Sequence, residues 1–552
     1  MPTHAVTNQP PPLTGFNAAD TPVIAEALRR NRLHPSTTDE IRLVGRLGGD
    51  QAVIELGDLA EAHPPVLATH DRYGHRIDEV VYDPAYHRLM EHAVRHGMHA
   101  TPWSDTRPNA HLIRAAKLSV WGHVDAGHGC PVSMTYAVVP ALRANETLAA
   151  EYEPLLCSTE YDPGLRAPLT KRGLLAGMSM TEKQGGSDLR VNTTTATPQP
   201  DGSYRITGHK WFTSAPMCDL FLVLAHAPDG LACLLVPRVL PDGARNTFNL
   251  QRLKDKLGNH SNASSEVEYD DTVGWLVGGE GRGIKTIVEM VDLTRLDCVL
   301  GSATVMRTGI AQAAHHAAHR KAFGALLAEQ PAMRNVLADL AVEAESATTV
   351  GLWLAELTDL AVAGDERATL LRRIALAVTK YHVCKRAPMH AAEALECLGG
   401  NGYVEESRMP RLYREAPLMS IWEGSGNVAA LDALRAISRQ PEVLGVFYDE
   451  VRTATGTDPR FDAAMRSIER TLADVDLTDL DALQYRTCRI VGDMAALLQG
   501  SLLLRFGHPS VADAYTATRL AGDRGDVLGT LPIGVDTTTL IDRATPETGA
   551  NP

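Results

Sequence analysis

Leu220-Phe221-Leu222-Val223-Leu224-Ala225-His226-Ala227-Pro228-Asp229-Gly230-Leu231-Ala232-Cys233-Leu234-Leu235-Val236 is two short apolar runs on either side of a Pro-Asp-Gly turn. Runs this short, bounded by turn residues, predict strands at Leu220–Ala225 and Ala232–Val236. The same pattern recurs on both sides. Pro200-Asp201-Gly202 and Pro241-Asp242-Gly243 are further turn signals, and Thr193–Thr197, Tyr204–Thr207 and Ser265–Tyr269 also read as antiparallel strands. Residues 174–285 are therefore expected to form a β domain.

On either side of it the apolar spacing is helical. From about 21 to 170 the candidate helices are Thr21–Arg30, Asp50–Ala62, Pro84–Gly97 and Asn109–Asp125, with proline breaks near Pro64-Pro65, Pro102 and Pro131. Beyond 286, Gly283–Arg320, Met333–Val362, Glu366–Leu398 and Asn427–Arg439 are long enough for a four-helix bundle. A further helical segment is expected from about 442 to 522. Residues 1–12 and 530–552 read as loose arms. The predicted class is α+β, with domains at 1–173, 174–285, 286–440 and 441–552.

Composition narrows the function classes. Hydrophobic residues at 44% and charged residues at 22% describe a globular chain, and 552 residues exceed one ordinary core. The formal charge of −14 argues against general nucleic-acid affinity. The eight cysteines include no C-x-x-C, so a disulfide scaffold or zinc knuckle is not expected and a reducing cytoplasm fits. No signal peptide or membrane span is anticipated, the apolar runs being shorter than the roughly 18 residues a span needs.

Leu418-Met419-Ser420-Ile421-Trp422-Glu423-Gly424-Ser425-Gly426-Asn427 carries the candidate chemistry. It sets one acid between an apolar strip and a glycine-rich turn, and Asn427 reads as the N-cap of the helix that follows. Burial against Ile421 and Trp422 would raise the pKa of Glu423, whereas the helix N-terminus favours the charged form. A carboxylate so placed suits a general base acting on a carbon acid. Its alternative is a surface Glu before a helix. Arg435, twelve residues on, either projects toward the same pocket or pairs with Asp432 at i,i+3. His92 and His96, four apart, lack an obvious third metal ligand, and His315 and His319 lack the Glu of H-E-x-x-H. Gly279-Glu280-Gly281-Arg282-Gly283 lacks the G-x-G-x-x-G spacing and reads as an interdomain turn.

Five segments, in order, resemble one family. Met180-Thr181-Glu182-Lys183-Gln184-Gly185-Gly186-Ser187-Asp188 is similar to the flavin loop of acyl-CoA dehydrogenases, and Gly208-His209-Lys210-Trp211-Phe212-Thr213-Ser214 to their next flavin-facing strand. His319-Arg320-Lys321-Ala322-Phe323-Gly324 resembles their R-x-x-F-G motif, and Leu398-Gly399-Gly400-Asn401-Gly402-Tyr403 their G-G-x-G segment. Ile421-Trp422-Glu423-Gly424-Ser425 resembles the stretch bearing their catalytic glutamate. Arg252-Leu253-Lys254-Asp255-Lys256-Leu257-Gly258-Asn259 and Pro410-Arg411-Leu412-Tyr413-Arg414-Glu415 are similar to the adaptive-response branch, which has an extra C-terminal helical domain.

That resemblance implies FAD as cofactor. It places Met180, Thr181, Gly186, Ser187, Phe212, Thr213 and Ser214 at the flavin and pyrophosphate. Arg320, Phe323, Gln330, Gly399, Gly400, Ser425 and Asn427 would complete the cofactor site. In the family the arginine and the G-G segment come from a neighbouring subunit, so a dimer of dimers is implied. Two departures stand out: Gln330 falls one place early, and Glu396 stands where the family often has Gln. For Glu423 the resemblance implies α-proton abstraction from a small acyl-CoA, straight or branched, with Thr294 and Arg295 approaching it. The thioester carbonyl would be bound by the glutamate's own N–H.

The same branch implies a second reading, a flavoprotein that binds duplex DNA and protects against alkylation damage. Residues 436–552 hold eleven Arg and no Lys against seventeen Asp and Glu, a net −6, whereas DNA-binding domains are normally basic. Arg466 with Arg470 and Arg486 with Arg489 form the candidate stripe. Asp462 and Glu469 offer the alternative of a solvated face of paired charges.

Overall fold

The computed structural model describes residues 3–473 and 479–548; residues 474–478 of the expected C-terminal helical segment, 549–552 of the tail and 1–2 of the first arm lie outside the described residues. The chain forms two compact units. One comprises Ala52–Ala110 with Val124–Asp297, the other Met1–Gln51, His111–His123 and Cys298–Pro552.

In the first unit the quoted hairpin is present. Strands β1 (Val66–His70) and β2 (Arg76–Val81) precede β3 (Ala176–Ser179), β4 (Thr195–Pro198), β5 (Ser203–Ser214), β6 (Leu220–Ala227), β7 (Gly230–Pro237), β8 (Asn249–Leu253) and β9 (Ser264–Val277). β6 and β7 pair antiparallel from Leu220↔Pro237 to Ala227↔Gly230. Both are buried along nearly their whole length, which explains continuous apolar runs instead of alternation. Pairings β6–β4, β4–β5, β5–β9, β9–β7 and β7–β6 close on themselves, which removes exposed edges among these strands. The expectation of purely antiparallel strands needs correction: β3 runs parallel to β6, and β4 meets β6 in a parallel bridge at Thr195↔His226.

β5 is far longer than the predicted Tyr204–Thr207. It bulges between Ile206 and Gly208 and again between Lys210 and Thr213. The second bulge turns Lys210 and Thr213, three apart, both inward, and leaves Phe212 exposed. The first needs glycine: Gly208 has φ 149°, and a Cβ there would lie 2.6 Å from Thr194 Cα. The Gly-Glu-Gly-Arg-Gly turn is clipped shut, since Glu280 accepts from the Tyr204 hydroxyl (2.6 Å) and from Asp229 N (2.8 Å).

The reading of 21–170 as all-helical also needs correction. Val66–His70 and Arg76–Val81 form a short antiparallel hairpin around Gly74 (φ 87°). Pro131 does not break a helix; it occupies the first turn of Gly129–Leu142, where its missing N–H costs nothing.

The second unit is helical. From Cys298 the helix Gly283–His319 meets Glu366–Glu396 at Gly309 and Ala394 and Pro331–Val362 at Leu300 and Gly351, while Pro331–Val362 and Gly426–Arg439 both pack on Glu366–Glu396, as expected of the bundle. The segment His111–His123 belongs here because Asp359 caps its helix, accepting from His111 N and Leu112 N at 2.9 Å each. Glu442–Arg452, Pro459–Ala473 and Leu480–Phe506 extend the bundle. By length and composition Asp481–Phe506 is apolar enough to cross a membrane, contrary to expectation, yet two thirds of that stretch is buried in the unit as a core helix.

Among the described residues neither arm is loose. In the tail, Thr537–Ala544 is a helix whose Arg543 pairs with Glu26 (2.7 Å) and Glu345 (2.7 Å). At the other end, Asn8 makes paired bonds with the Lys321 backbone, donating to its O (2.9 Å) and accepting from its N (2.7 Å).

Candidate active site

In the β unit the loop after β3 is set by a residue that sequence reasoning left out. Glu182 is fully buried and accepts from Thr193 N (2.6 Å) and Oγ1 (2.9 Å), Thr194 N (3.1 Å) and Oγ1 (2.6 Å), and Lys210 Nζ (2.8 Å). Burial pushes its carboxyl up, but the Lys210, Thr194 and Thr193 bonds outweigh this and bring it down to about 2. Burial lowers Lys210 to about 8 against the pull of Glu182.

Around that anchor the predicted flavin residues converge. Trp211 N donates to Thr181 O (2.8 Å), joining the loop to β5, and Asn192 Nδ2 donates to Met180 O (3.0 Å). Gly186 leaves room for Thr181, whose Oγ1 would lie 2.5 Å from a Cβ at 186. Ser187 and Phe212 are exposed, the Phe212 ring lying 4.8 Å from Lys254 Nζ. Thr213 faces inward, its hydroxyl 2.6 Å from Ser179 Oγ, and Ser214 Oγ lies 3.2 Å from Ser264 Oγ. Lys254 and Arg252 share Glu266, each at 2.6 Å. Thr294 and Arg295 are buried on Gly283–His319; the threonine hydroxyl bonds to Val291 O (3.0 Å) and the guanidinium lies 3.4 Å from Asp292.

In the helical unit the R-x-x-F-G motif is a tiny hairpin. Lys321 and Ala322 pair with Leu326 and Ala325, and Phe323 (φ 52°) and Gly324 (φ 83°) make the turn. Phe323 is wholly exposed. Arg320 NH1 donates to Asn8 O (2.6 Å), and Gln330 Nε2 to Ala322 O (3.2 Å). Asn401 Nδ2 lies 3.4 Å from Gln9 Oε1, so the N-terminal arm touches both the arginine and the glycine segments. Gly399 and Gly400 are exposed, with open space where a Cβ would stand.

Glu423 sits half-buried in an unusual backbone: its φ is 58° and that of Gly424 is 95°. Lys380, fully buried on Glu366–Glu396, donates to the carbonyls of Ser420 (3.5 Å), Trp422 (3.1 Å) and Gly424. Trp422 packs on Cys298, Cys384 and Met419. The cap of Gly426–Arg439 is Ser425, without a side-chain bond, so Asn427 stands inside the first turn and is not the N-cap. Its Oδ1 lies 3.7 Å from Cys488 Sγ. Arg435 takes the pairing option: its NH1 is 3.7 Å from Asp432 Oδ1, which Arg373 also holds at 2.7 Å.

Residues 8–163 match the family model described as the adaptive response protein AidB N-terminal domain, 177–272 the acyl-CoA dehydrogenase middle domain, and 281–438 its C-terminal domain. Over 94% of this chain and 94% of its relative, the sequence is 42% identical to AidB of Escherichia coli (strain K12). The chain belongs to the acyl-CoA dehydrogenase family. This is a family of FAD-dependent oxidoreductases, and the α+β architecture is its own. Caenorhabditis elegans acyl-CoA dehydrogenase family member 11 is 31% identical over 81% of this chain and 75% of its own length. The crystal structure of ACDH-11 from that organism, in complex with C11-CoA, has a TM-score of 0.85 at 26% identity and covers 96% of each chain. An acyl-CoA dehydrogenase from Bacillus anthracis complexed with FAD shares the fold at a TM-score of 0.68 and 18% identity, over 93% of this chain and 87% of its own.

The four arginines proposed to read DNA are all exposed, Arg466 and Arg470 on Pro459–Ala473, Arg486 and Arg489 on Leu480–Phe506. The expected pairing of their helix faces is not the one found. Glu469 pairs with Arg452 (2.8 Å), and Asp462 accepts from Gly456 N (3.0 Å). Arg489 lies 3.8 Å from Asp493.

Proposed function

We propose that this protein catalyses FAD-dependent α,β-dehydrogenation of a small acyl-CoA, straight or branched, with Glu423 as the base. The observation that carries the reading is the Glu423 backbone, left-handed at a non-glycine residue and tied at its flanking carbonyls to a buried ammonium. Such backbone persists where its surroundings over-determine it, and functional sites are where it collects.

The residues fit the cofactor. Open glycines at 399 and 400, the exposed Ser187 hydroxyl and the exposed faces of Phe212 and Phe323 suit a flat ring and a phosphate chain. Arg320 suits the pyrophosphate. Met180, Thr181, Gly186, Thr213, Ser214, Gln330, Ser425 and Asn427 complete the proposed set; Thr213 contributes through its backbone, its hydroxyl being taken by Ser179. FAD, when bound, supplies the acceptor for the two electrons and hydrogen leaving Cβ as hydride. Glu423 takes the proton from Cα, the C–C bond becomes double, and Glu423 N–H holds the thioester oxygen as charge develops on it. Arg435 stays with Asp432. The exposed Phe323 and Tyr403 support assembly into a dimer of dimers. The ACDH-11 complex with C11-CoA supports an acyl-CoA ligand and adds medium chains to those worth testing.

Glu423→Gln tests the reading: FAD stays bound and acyl-CoA dehydrogenation stops. Turnover at the wild-type rate would remove the base assignment.

One observation favours a second role on duplex DNA. Arg466, Arg470 and Arg486 are exposed and have no carboxylate partner among the described residues. Retardation of duplex DNA measured against salt concentration tests it. Electrostatic binding gives a log–log slope of about −0.9 per phosphate neutralised, and a flat or absent response rejects it.

A further inference from the structure

Lys380 is 0% exposed, and among the described residues no carboxylate pairs with it. An unpaired buried ammonium is costly unless its donors are satisfied. An ammonium has three donors, and all three point into one five-residue stretch, to Ser420 O at 3.5 Å, Trp422 O at 3.1 Å and Gly424 O. That stretch contains Glu423. Consecutive left-handed residues, Glu423 and Gly424, link the Trp422 and Gly424 carbonyls.

The middle carbonyl matters most. Trp422 C=O and Glu423 N–H belong to the same planar peptide, so a charge on its oxygen is felt at its nitrogen through the shared resonance. A cation hydrogen-bonded to the oxygen increases the C=N character and makes the N–H a stronger donor, and such chains of hydrogen bonds reinforce one another in a low-dielectric interior. The Gly424–Ser425 peptide is drawn the same way.

We propose that Lys380 is a positioning residue for acyl thioester oxidation: it holds the Glu423 loop in its left-handed conformation and polarises the Trp422–Glu423 peptide. The inference rests on the reading of Glu423 as base and of its N–H as the donor to the thioester oxygen. The effect grows as that oxygen gains negative charge, so it falls on the transition state more than on the bound substrate.

The test uses FAD-loaded Lys380→Met and Lys380→Gln, the second retaining a neutral donor in case the first does not fold. Kinetics are measured with butyryl-CoA. The carbonyl stretch of bound crotonyl-CoA, labelled with ¹³C at the carbonyl, is read by isotope-edited infrared spectroscopy. The expected result is a kcat lowered about 10- to 100-fold with KM changed much less, FAD content near wild type, and loss of most of the downshift of the bound carbonyl; Gln falls between Met and wild type. A wild-type carbonyl frequency in both variants would overturn the proposal, including where activity falls only in step with lost FAD. Glu423→Gln is run alongside. If it is inactive while Lys380→Met behaves as wild type, this inference fails alone; if it turns over normally, the base reading fails and this inference with it.

Discussion

Lys210 Nζ donates to Glu182 Oε1 across 2.8 Å with both side chains wholly shielded from solvent. The pair joins the loop that carries Thr181 and Ser187 to the strand that carries Phe212. Replacing Lys210 by Met would leave a buried carboxylate without its cation, a change that costs about 3–5 kcal/mol. Denaturant unfolding of Lys210→Met should show that loss, with weakened flavin retention beside it. An unfolding midpoint equal to wild type would mean that the pair is structurally idle.

The same pair predicts a pH window. Glu182 titrates at about 2 in the folded protein, against an ordinary value near 4.5. Its depressed pKa adds stability that is fully present above the ordinary value and is lost as pH falls from about 4.5 toward 2. Unfolding followed between pH 6 and 3 should show wild type losing stability more steeply in that range than Glu182→Gln.

Gly186→Ala should loosen the cofactor without unfolding the sheet. The added methyl would meet Thr181 Oγ1 at 2.5 Å, and relief requires the threonine to move. Overpacking of this kind costs typically about 1–3 kcal/mol. A lower ratio of flavin to protein absorbance after gel filtration, at unchanged far-ultraviolet circular dichroism, is the expected outcome.

Arg320→Ala should release FAD more readily and free the N-terminal arm, because Arg320 also donates to Asn8 O at 2.6 Å. Asn8→Ala separates the two effects. It removes the arm's paired bonds to Lys321, faster proteolysis of the first residues being the expected readout, and leaves the guanidinium for the cofactor.

Arg519 lies 2.5 Å from Asp339 and 2.9 Å from Glu343, and Arg386 grips Glu343 from the other side at 2.8 Å. Burial pushes Glu343 up, yet the two arginines hold its carboxyl well below the carboxylate range. Arg519→Met should therefore cost about 3–5 kcal/mol. Denaturant unfolding would register it, and an unchanged midpoint would show the network to be replaceable.

Much of the architecture was legible in the chain itself because it rests on local rules. Apolar runs too short for helix, bounded by Pro-Asp-Gly, specify the β6–β7 hairpin, and long helical periodicity specifies the bundle helices to within a few residues. The misreadings were also local. Pro131 lies where a helix tolerates proline, and the hairpin at 66–81 is too short and too polar to stand out from its helical surroundings.

Residue order thus settled the class and most of the element sequence, since strand and helix periods and turn chemistry are properties of neighbours in the chain. Only the tertiary structure could decide which charges meet. The bulge that turns Lys210 inward, the clasp of Asn8 on Lys321, and the convergence of Ser420, Trp422 and Gly424 on Lys380 join residues 28, 313 and about 40 positions apart. Burial, which makes such pairings matter, is set by the whole fold and by no local pattern.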